Sequence, residues 1–510
     1  MSGSRNVKGT ARHSVGESGP ARAAEEEHRA TTPEKRQRVA IAGASGFVGR
    51  ALVSRLVSSY DVVALARWAE GQPAAVGVEW RACNLFNLAD AERALAGADV
   101  AVYLVHSMMP SARMTQGRFD DLDVICADNF TRAAAANGVR HIVYLGGLLP
   151  ASKDGLSRHL ESRFEVEGIL GSRGAAVTTL RAGLIIGAGG SSFEMMARLV
   201  GRLPIMLAPR WTRSLSQPIA LEDVTSLLAF AVQRPDLAGR AYDIAGPDVV
   251  SYADMLRMTG AAQGKRTRVI TLPIRTVKLS LLWVSVITGA SQALVRPLVE
   301  SLRHDMVAID GLVFQKQAGL AARPLRESLA RAVRDDALID RSRPRARRAR
   351  RARRARRARR ARPKRNDRGV CSVQRLRVAS WQGAAAVAED YVRWLPRFMR
   401  PLLTIAVDDA RTCRFFLWPI RRPLLVLRFA TDRSSFDRQL FFVTGGLLSA
   451  ETPGARPRLE FRAVLDGVYV LAAVHDFVPR LPWFIYKYTQ AIVHLLVMRA
   501  FARHLASEVP

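Results

Sequence analysis

The chain has 510 residues, of which 49% are hydrophobic and 7% aromatic, and its net charge is +32. That length exceeds one typical core, so two or three domains are expected. Fifteen Arg and one Lys, without a single acid, lie between Arg341 and Arg365 and supply half of the excess charge. The remainder of the chain is only moderately basic, so overall charge does not place it among nucleic-acid-binding proteins. Cys83, Cys126, Cys371 and Cys413 form no C-x-x-C pair. That spacing excludes a zinc cluster or a disulfide framework, so no metal site is expected and a reducing cytoplasm is.

Residues 1–37 are rich in Gly, Ser, Ala and charge and lack an apolar core, so they read as a disordered leader without a secretory signal. From Arg38 to Asp336, strand-like runs ("RVAIAG", "DVVALAR", "DVAVYLV", "HIVYLG", "TTLRAGLIIG") alternate with segments of helical period. Such alternation predicts an α/β fold, a doubly wound parallel sheet with helices on both faces. The uncharged run Leu279–Val295 is at the short limit for a membrane span and reads as a buried or membrane-resting helix.

"VAIAGASGFVGRALV" places Gly43, Gly46 and Gly49 between a β-rich run and an amphipathic helix. In that position Gly43 permits a tight turn, Gly46 lets a pyrophosphate approach backbone N–H groups, and Gly49 permits close helix–strand packing. The loop residues Ser45, Phe47 and Val48 belong to the same expected cofactor site. The helix N-terminus favours phosphate charge. The second strand ends at Arg67, where an NAD site commonly carries an acid. A guanidinium there suits a 2′-phosphate, so NADP(H) is favoured over NAD(H), with Trp68 placed to cover the adenine.

Residues 337–370 contain an Arg-Arg-Ala repeat whose charges repel, which reads as an extended linker. It is either a solvated spacer or a sequence-blind adhesive for anionic membrane or nucleic acid. From 371 to 510 the pattern changes to β-rich runs, with Asp466-Gly467 as a hairpin signal, then one apolar helix of about six turns opening near Pro482. This predicts an α+β domain.

The Gly-x-x-Gly-x-x-Gly spacing, with "NFTRAAAANGVRHIVYLGGL", "LRAGLIIGAG", "SQPIALEDVTSLLAFAV" and "AYDIAGPDVVSYADML", resembles the extended and atypical short-chain dehydrogenase/reductase superfamily, NmrA-like members included. "YLVHSM", "HLESRFEVEGIL" and "SSFEMM" look like bacterial proteins that join this fold to a second domain of poorly defined function. "RLEFRAVLDGVYVLAAVHDFVPRLPWFIYKYTQAIVHLLVMRAF" is similar to START-like helix-grip domains. The resemblance implies a Ser, a Tyr and a Lys at the reacting centre. Here Gly146 and Gly147 stand at the Ser position, His159 at the Tyr and Arg163 at the Lys.

Spaced four apart on a helix, His159 and Arg163 share a face. Arg163 retains the charge to hold ribose or phosphate and disfavours protonation of His159. A neutral His159 can act as a general acid or base, or the two residues can form a surface pair. His106 ends the fourth strand, on the cleft side of an open sheet, where it serves either catalysis or structure. Glu165 and Glu167 read as partners for nearby Arg. In the last domain, Gln490 and His494, with Glu460 and Arg462, either line the polar end of an apolar cavity or pack in the core. Arg433, Asp437 and Arg438 read as a salt-linked turn.

The expected function is an atypical NADP-dependent oxidoreductase acting on a hydrophobic small molecule. The alternative is a non-catalytic NADP-binding scaffold or redox sensor. Either is expected in the cytoplasm, with peripheral contact at the inner face of the membrane through the linker as a further option.

Overall fold

The computed structural model describes residues 36–106, 114–152, 156–272, 303–338, 369–379, 382–401, 403–450 and 456–507. The leader up to residue 35, the Leu279–Val295 run and the Arg-rich repeat lie outside the described residues.

Seven strands form one parallel sheet: β1 (Arg38–Ala42), β2 (Asp61–Ala66), β3 (Val78–Ala82), β4 (Val100–Tyr103), β6 (His141–Gly147), β7 (Ala176–Ala182) and β12 (Arg240–Ile244). Their spatial order is β12-β7-β6-β4-β1-β2-β3. Strand order therefore reverses between β1 and β4, and a crevice opens at their carboxyl ends. The central strands are buried on both faces, which explains their near-continuous apolar sequence. On one face lie α2 (Leu88–Leu95), α3 (Phe119–Ala136) and α4 (Arg158–Gly171). On the other lie α1 (Phe47–Leu56) and α6 (Leu221–Gln233). Between α4 and α6, β8 (Ile185–Ile186) and α5 (Ser191–Arg202) begin a smaller lobe.

The last domain is an antiparallel sheet of β15 (Val370–Arg377), β16 (Thr404–Val407), β17 (Cys413–Leu417), β18 (Ile420–Phe429), β19 (Arg438–Gly445), β20 (Arg458–Val464) and β21 (Tyr469–Phe477). The β20–β21 turn runs through Leu465, Asp466 and Gly467, all at positive φ, which is why Asp-Gly marks it. One face of the sheet packs on α9 (Ala384–Met399) and α11 (Gln490–Ser507) through Leu459, Phe461, Val470 and Ala472. The alternate residues Val464, Leu471 and Ala473 join the core of α2, α3 and α4 instead. One core cluster thus spans both domains. A short strand from the first domain, β5 (Met114–Gln116), also pairs parallel with β15 at the sheet edge.

The expected six-turn terminal helix is two helices. The first, α10 (Trp483–Tyr488), stops at Thr489, and α11 starts afresh at Gln490. Thr489 adopts φ −123°, ψ −87°, and its hydroxyl donates to the Ile485 carbonyl at 2.6 Å. Such back-bonding by a β-branched hydroxyl competes with helix continuation.

Candidate functional site

The glycine loop is built as its sequence requires. Gly43 has φ +87°, and a side chain there would sit 3.2 Å from the backbone of Leu104, just past neighbouring β4. At Gly49 a Cβ would lie 2.2 Å from the Gly43 carbonyl, so only glycine lets α1 start so close to β1. Gly46 caps α1 without a side chain, leaving the first-turn N–H groups of Phe47 and Val48 uncapped from within. A cradle of bare backbone at a helix N-terminus fits a pyrophosphate. Ser45 is half-buried in the same turn. The Phe47 ring fills the space beside Gly187 and Gly190, tying α1 to the segment after β8. Arg67 and Trp68 are exposed just past β2, the strand next to β1.

At the same edge of the sheet, His106 follows β4 and His159 stands in the first turn of α4. His106 Nε2 is 3.0 Å from His159 Nδ1, and their rings are 4.8 Å apart. The Nδ1–H of His106 donates to Asp123 Oδ2 at 2.6 Å. The same oxygen accepts from Ser162 Oγ at 2.9 Å. Asp123 is 1% exposed. Burial, then the charges of His106 and Arg163, push the His159 imidazole down to about 3, so it is neutral throughout the physiological range. Asp123 and Ser162 complete a four-residue chain of which sequence reasoning named only the two histidines. Their signal was present: α3 carries Asp120, Asp121, Asp123 and Asp128, all buried in a helix otherwise rich in apolar residues.

Arg163 turns away from the histidines. Its guanidinium donates to the Leu145 carbonyl on β6 and lies 5.1 Å from the centre of the Tyr144 ring. Gly147 sits beside its stem.

The remaining sequence candidates sort onto separate surfaces. Glu167 pairs with Arg181 at 2.6 Å, a neighbour in the first domain. Glu165 instead accepts both terminal nitrogens of Arg375, from β15, at 2.6 and 2.9 Å, while Arg375 Nε donates to Asp121 at 2.8 Å. Glu460 and Arg462 face α3, where Arg462 donates to Asp128 at 2.7 Å and Asn129 at 2.6 Å. His494 lies on α11, on the other face of the sheet, 3.1 Å from Ser372 Oγ. Of the two alternatives for Glu460, Arg462 and His494, strand alternation thus speaks against one shared cavity, since they lie on opposite faces of the sheet. Asp437 holds Arg132 at 2.7 Å and Arg173 at 2.5 Å, and Arg438 holds Glu460 at 2.6 Å. That cluster is an interdomain ion network rather than a local turn. Among the described residues no group of His, Cys, Asp and Glu could hold a metal ion.

Residues 43–184 match a family model described as NAD(P)H-binding. This part of the chain is an NAD(P)H-binding domain. The auxiliary protein GraX of Staphylococcus aureus is 31% identical over 111 residues, which are 22% of this chain and 36% of that protein. The chain thus spans about a third of the length of this curated relative. Among solved structures, the triphenylmethane reductase of Citrobacter sp., complexed with NADP(H), aligns at TM-score 0.47 and 16% identity over 58% of this chain and 99% of that one. The NADPH-dependent quinone oxidoreductase of Escherichia coli, complexed with NADPH, aligns at TM-score 0.46 and 22% identity over 57% and 98%. The Bordetella bronchiseptica enzyme WbmH with NAD+ aligns at TM-score 0.43 and 16% identity over 58% and 97%.

Proposed function

We propose that the protein is an NADPH-dependent reductase of a hydrophobic electrophile, an enone or a quinone, with His159 as proton donor. The observation that carries this reading is the hydrogen-bonded chain Asp123–His106–His159 at the carboxyl edge of the sheet. A bound NADPH supplies a hydride to such a substrate. The phosphate end is assigned to the Gly43–Gly49 loop and the 2′-phosphate to exposed Arg67, a reading that favours NADP(H) over NAD(H).

Two proton arrangements satisfy the chain. In the first, His106 carries the extra proton beside Asp123 and donates from Nε2 to His159 Nδ1, leaving a proton on His159 Nε2. In the second, His159 Nδ1 donates to a neutral His106. Passing from the first to the second delivers the Nε2 proton of His159 to substrate while His159 stays neutral. Asp123 keeps its charge in both. With so low an affinity for a second proton, a lone His159 is hardly ever an imidazolium near neutral pH, and the relay avoids the need for that state. Hydride and proton together reduce one double bond by two electrons, and solvent restores the proton. Gly146 and Gly147 leave no hydroxyl to orient a carbonyl, which favours a substrate whose hydride and proton go to different atoms.

The second domain is proposed to shelter the apolar substrate, in keeping with its resemblance to START-like folds. The segment Arg341–Arg365 is proposed to adhere to anionic membrane or nucleic acid, and deleting it abolishes that adhesion if so. The alternative of a non-catalytic NADP-binding scaffold has one specific support: Arg163, at the position of the superfamily's Lys, is committed to the Leu145 carbonyl. NADPH consumption by the full chain against enones and quinones decides between them. Turnover lost in His159→Ala, with NADPH binding retained, supports the reductase. Tight NADPH binding without turnover, and no effect of His159→Ala or His106→Ala, sinks it.

A further inference from the structure

The α10–α11 pair is apolar on two sides. Its inner side buries Tyr486, Ala491, Val497, Met498, Phe501 and Leu505 in the cores of the last domain. Its outer side leaves Phe484 and Tyr488 each 67% exposed and Leu496 55% exposed, with Ile485, Ile492 and Val493 also on the surface. On α11, positions 492 and 496 follow helical spacing and form one exposed stripe, and Ile485 and Tyr488 add exposed apolar surface on the preceding α10. Arg499 and Arg503 continue that stripe toward the end of α11, and both are exposed. From Phe477 to Ser507 the sequence contains no Asp or Glu, while Arg480, Lys487, Arg499 and Arg503 are basic. Among the described residues Lys487, Arg499 and Arg503 have no acidic partner, and the neighbouring Asp390 of α9 is paired with His504 at 3.0 Å. Lys487 Nζ lies 5.1 Å from the centre of the exposed Tyr488 ring.

We infer that this stripe is a docking surface for an anionic lipid bilayer, with the apolar half entering the headgroup boundary and the basic half meeting lipid phosphates. Three features select a bilayer as the occupant. The patch is a contiguous row of large apolar side chains, of a kind that soluble surfaces rarely leave open. It mixes Phe, Tyr, Ile and Leu with Arg and Lys and excludes acids, the composition of helices that lie in the interface plane. Cations without partners at one end give charge complementarity to anionic headgroups. No described helix is long and apolar enough to cross a membrane, so the contact is with the surface. The inference stands apart from the proposed chemistry at His159. It also differs from adhesion through the Arg-rich segment, which is purely electrostatic.

The test is co-sedimentation of the full-length protein with phosphatidylcholine vesicles containing phosphatidylglycerol. Work at about 0.5 M salt shrinks the Debye length to a few ångströms, which suppresses adhesion by the Arg-rich segment and spares apolar insertion. The wild type is expected to bind, and the double variant Ile492→Glu, Leu496→Glu to bind at least ~10-fold more weakly. The milder pair Ile492→Ser, Leu496→Ser gives the same direction if the charged pair disturbs folding. Arg499→Glu with Arg503→Glu weakens binding several-fold at low salt. NADPH titration of each variant is expected to match the wild type, so a failed reductase reading leaves this outcome intact. Equal vesicle binding by wild type and both apolar variants overturns the inference. So does an absence of binding by the wild type. Conversion of a dimer to a monomer by the same variants without lipid assigns the stripe to a second copy. A large loss of thermal stability assigns it to an intramolecular cover.

Discussion

His106 Nε2 stands 3.0 Å from His159 Nδ1, although one residue follows a strand and the other lies in the first turn of a helix 53 positions later. Their orientation depends on Asp123, which accepts the other nitrogen of His106. Replacing Asp123 by Asn preserves the shape and removes the charge that supports a proton on His106. The expected outcome is NADPH binding close to wild type and a fall in kcat of ~10² to 10⁴, the range for loss of general acid catalysis. Steady-state turnover and NADPH titration on the same preparation check it.

Arg67 is exposed just past β2, the strand adjacent to β1. A charge-assisted hydrogen bond to a 2′-phosphate contributes about 1.5–3 kcal/mol, so Arg67→Ala is expected to weaken NADPH by ~10- to 100-fold. NADH binding is expected to change little. Fluorescence titration with the two nucleotides reads the difference directly. Equal weakening of both assigns Arg67 to folding or to the shared part of the cofactor.

Legibility in the sequence followed range. The parallel sheet and the glycine loop were readable because strand–loop–helix spacing is local. His106 and His159 could be singled out by position, one at a strand end and one in a helix, but not their contact. Asp123 carries no local signal, because an acid in a helix is by itself compatible with solvent, whereas α3 is buried between the two domains. The charge of Arg163 is legible, but its Leu145 carbonyl partner is not, since that contact is set by how α4 packs on β6. The partners Arg375–Glu165 and Arg462–Asp128 lie 210 and 334 positions apart. No periodicity reports such pairs, and the core cluster that spans both domains was equally invisible.

Stability is expected to fall as the solution is acidified from about pH 6.5 toward 4. Burial pushes His159 down to about 3 and His494 to about 4. An unfolded histidine takes up its proton near 6.5, so each contributes stability present above that pH and lost as pH falls toward its folded value. Asp121 acts in the opposite sense, because burial raises it to about 6. Its contribution is present below about 4 and lost as pH rises through 6, and a single carboxyl is outweighed by the two histidines. Urea unfolding at pH 7 and pH 5 tests this, with a slope of at most about 1.4 kcal/mol per pH unit for each histidine. His494→Phe is expected to flatten the dependence.

Among the described residues Arg462 is the largest wholly buried side chain, held by Glu460 on its own strand and by Asp128 and Asn129 across the domain interface. Arg462→Ala removes one cation from each of two buried carboxylates, while Glu460 keeps Arg438 and Asp128 keeps Arg132, so it is expected to cost at most about 3–5 kcal/mol. Removing Glu460, Asp128 and Arg462 together in favour of apolar side chains is expected to cost much less, since desolvation of the network is relieved as well. Denaturant unfolding of the single and triple variants measures the gap. A single variant no less stable than the triple would show that Arg462 carries little of the interface.

Arg375 of the second domain holds Asp121 on α3 and Glu165 on α4, the two helices that bear Asp123 and His159. It therefore acts as a positioning residue: fixing α4 against α3 fixes His159 against the Asp123-bound His106. A displacement of about 1 Å at a reacting centre can cost as much as ~10² in rate. Arg375→Gln breaks both ion pairs and is expected to lower kcat by ~10-fold or more while leaving NADPH affinity unchanged, because the glycine loop lies on the other side of β1 from this clamp. Arg375→Lys retains one charge but not the bidentate fork, so it is expected to recover part of kcat only. The imidazole NMR signals of His106 and His159 supply a readout that global stability does not move. Line broadening or shift of both signals in folded Arg375→Gln is expected. Unchanged signals together with unchanged kcat, at whatever thermal stability, would leave Arg375 a purely structural link between the domains.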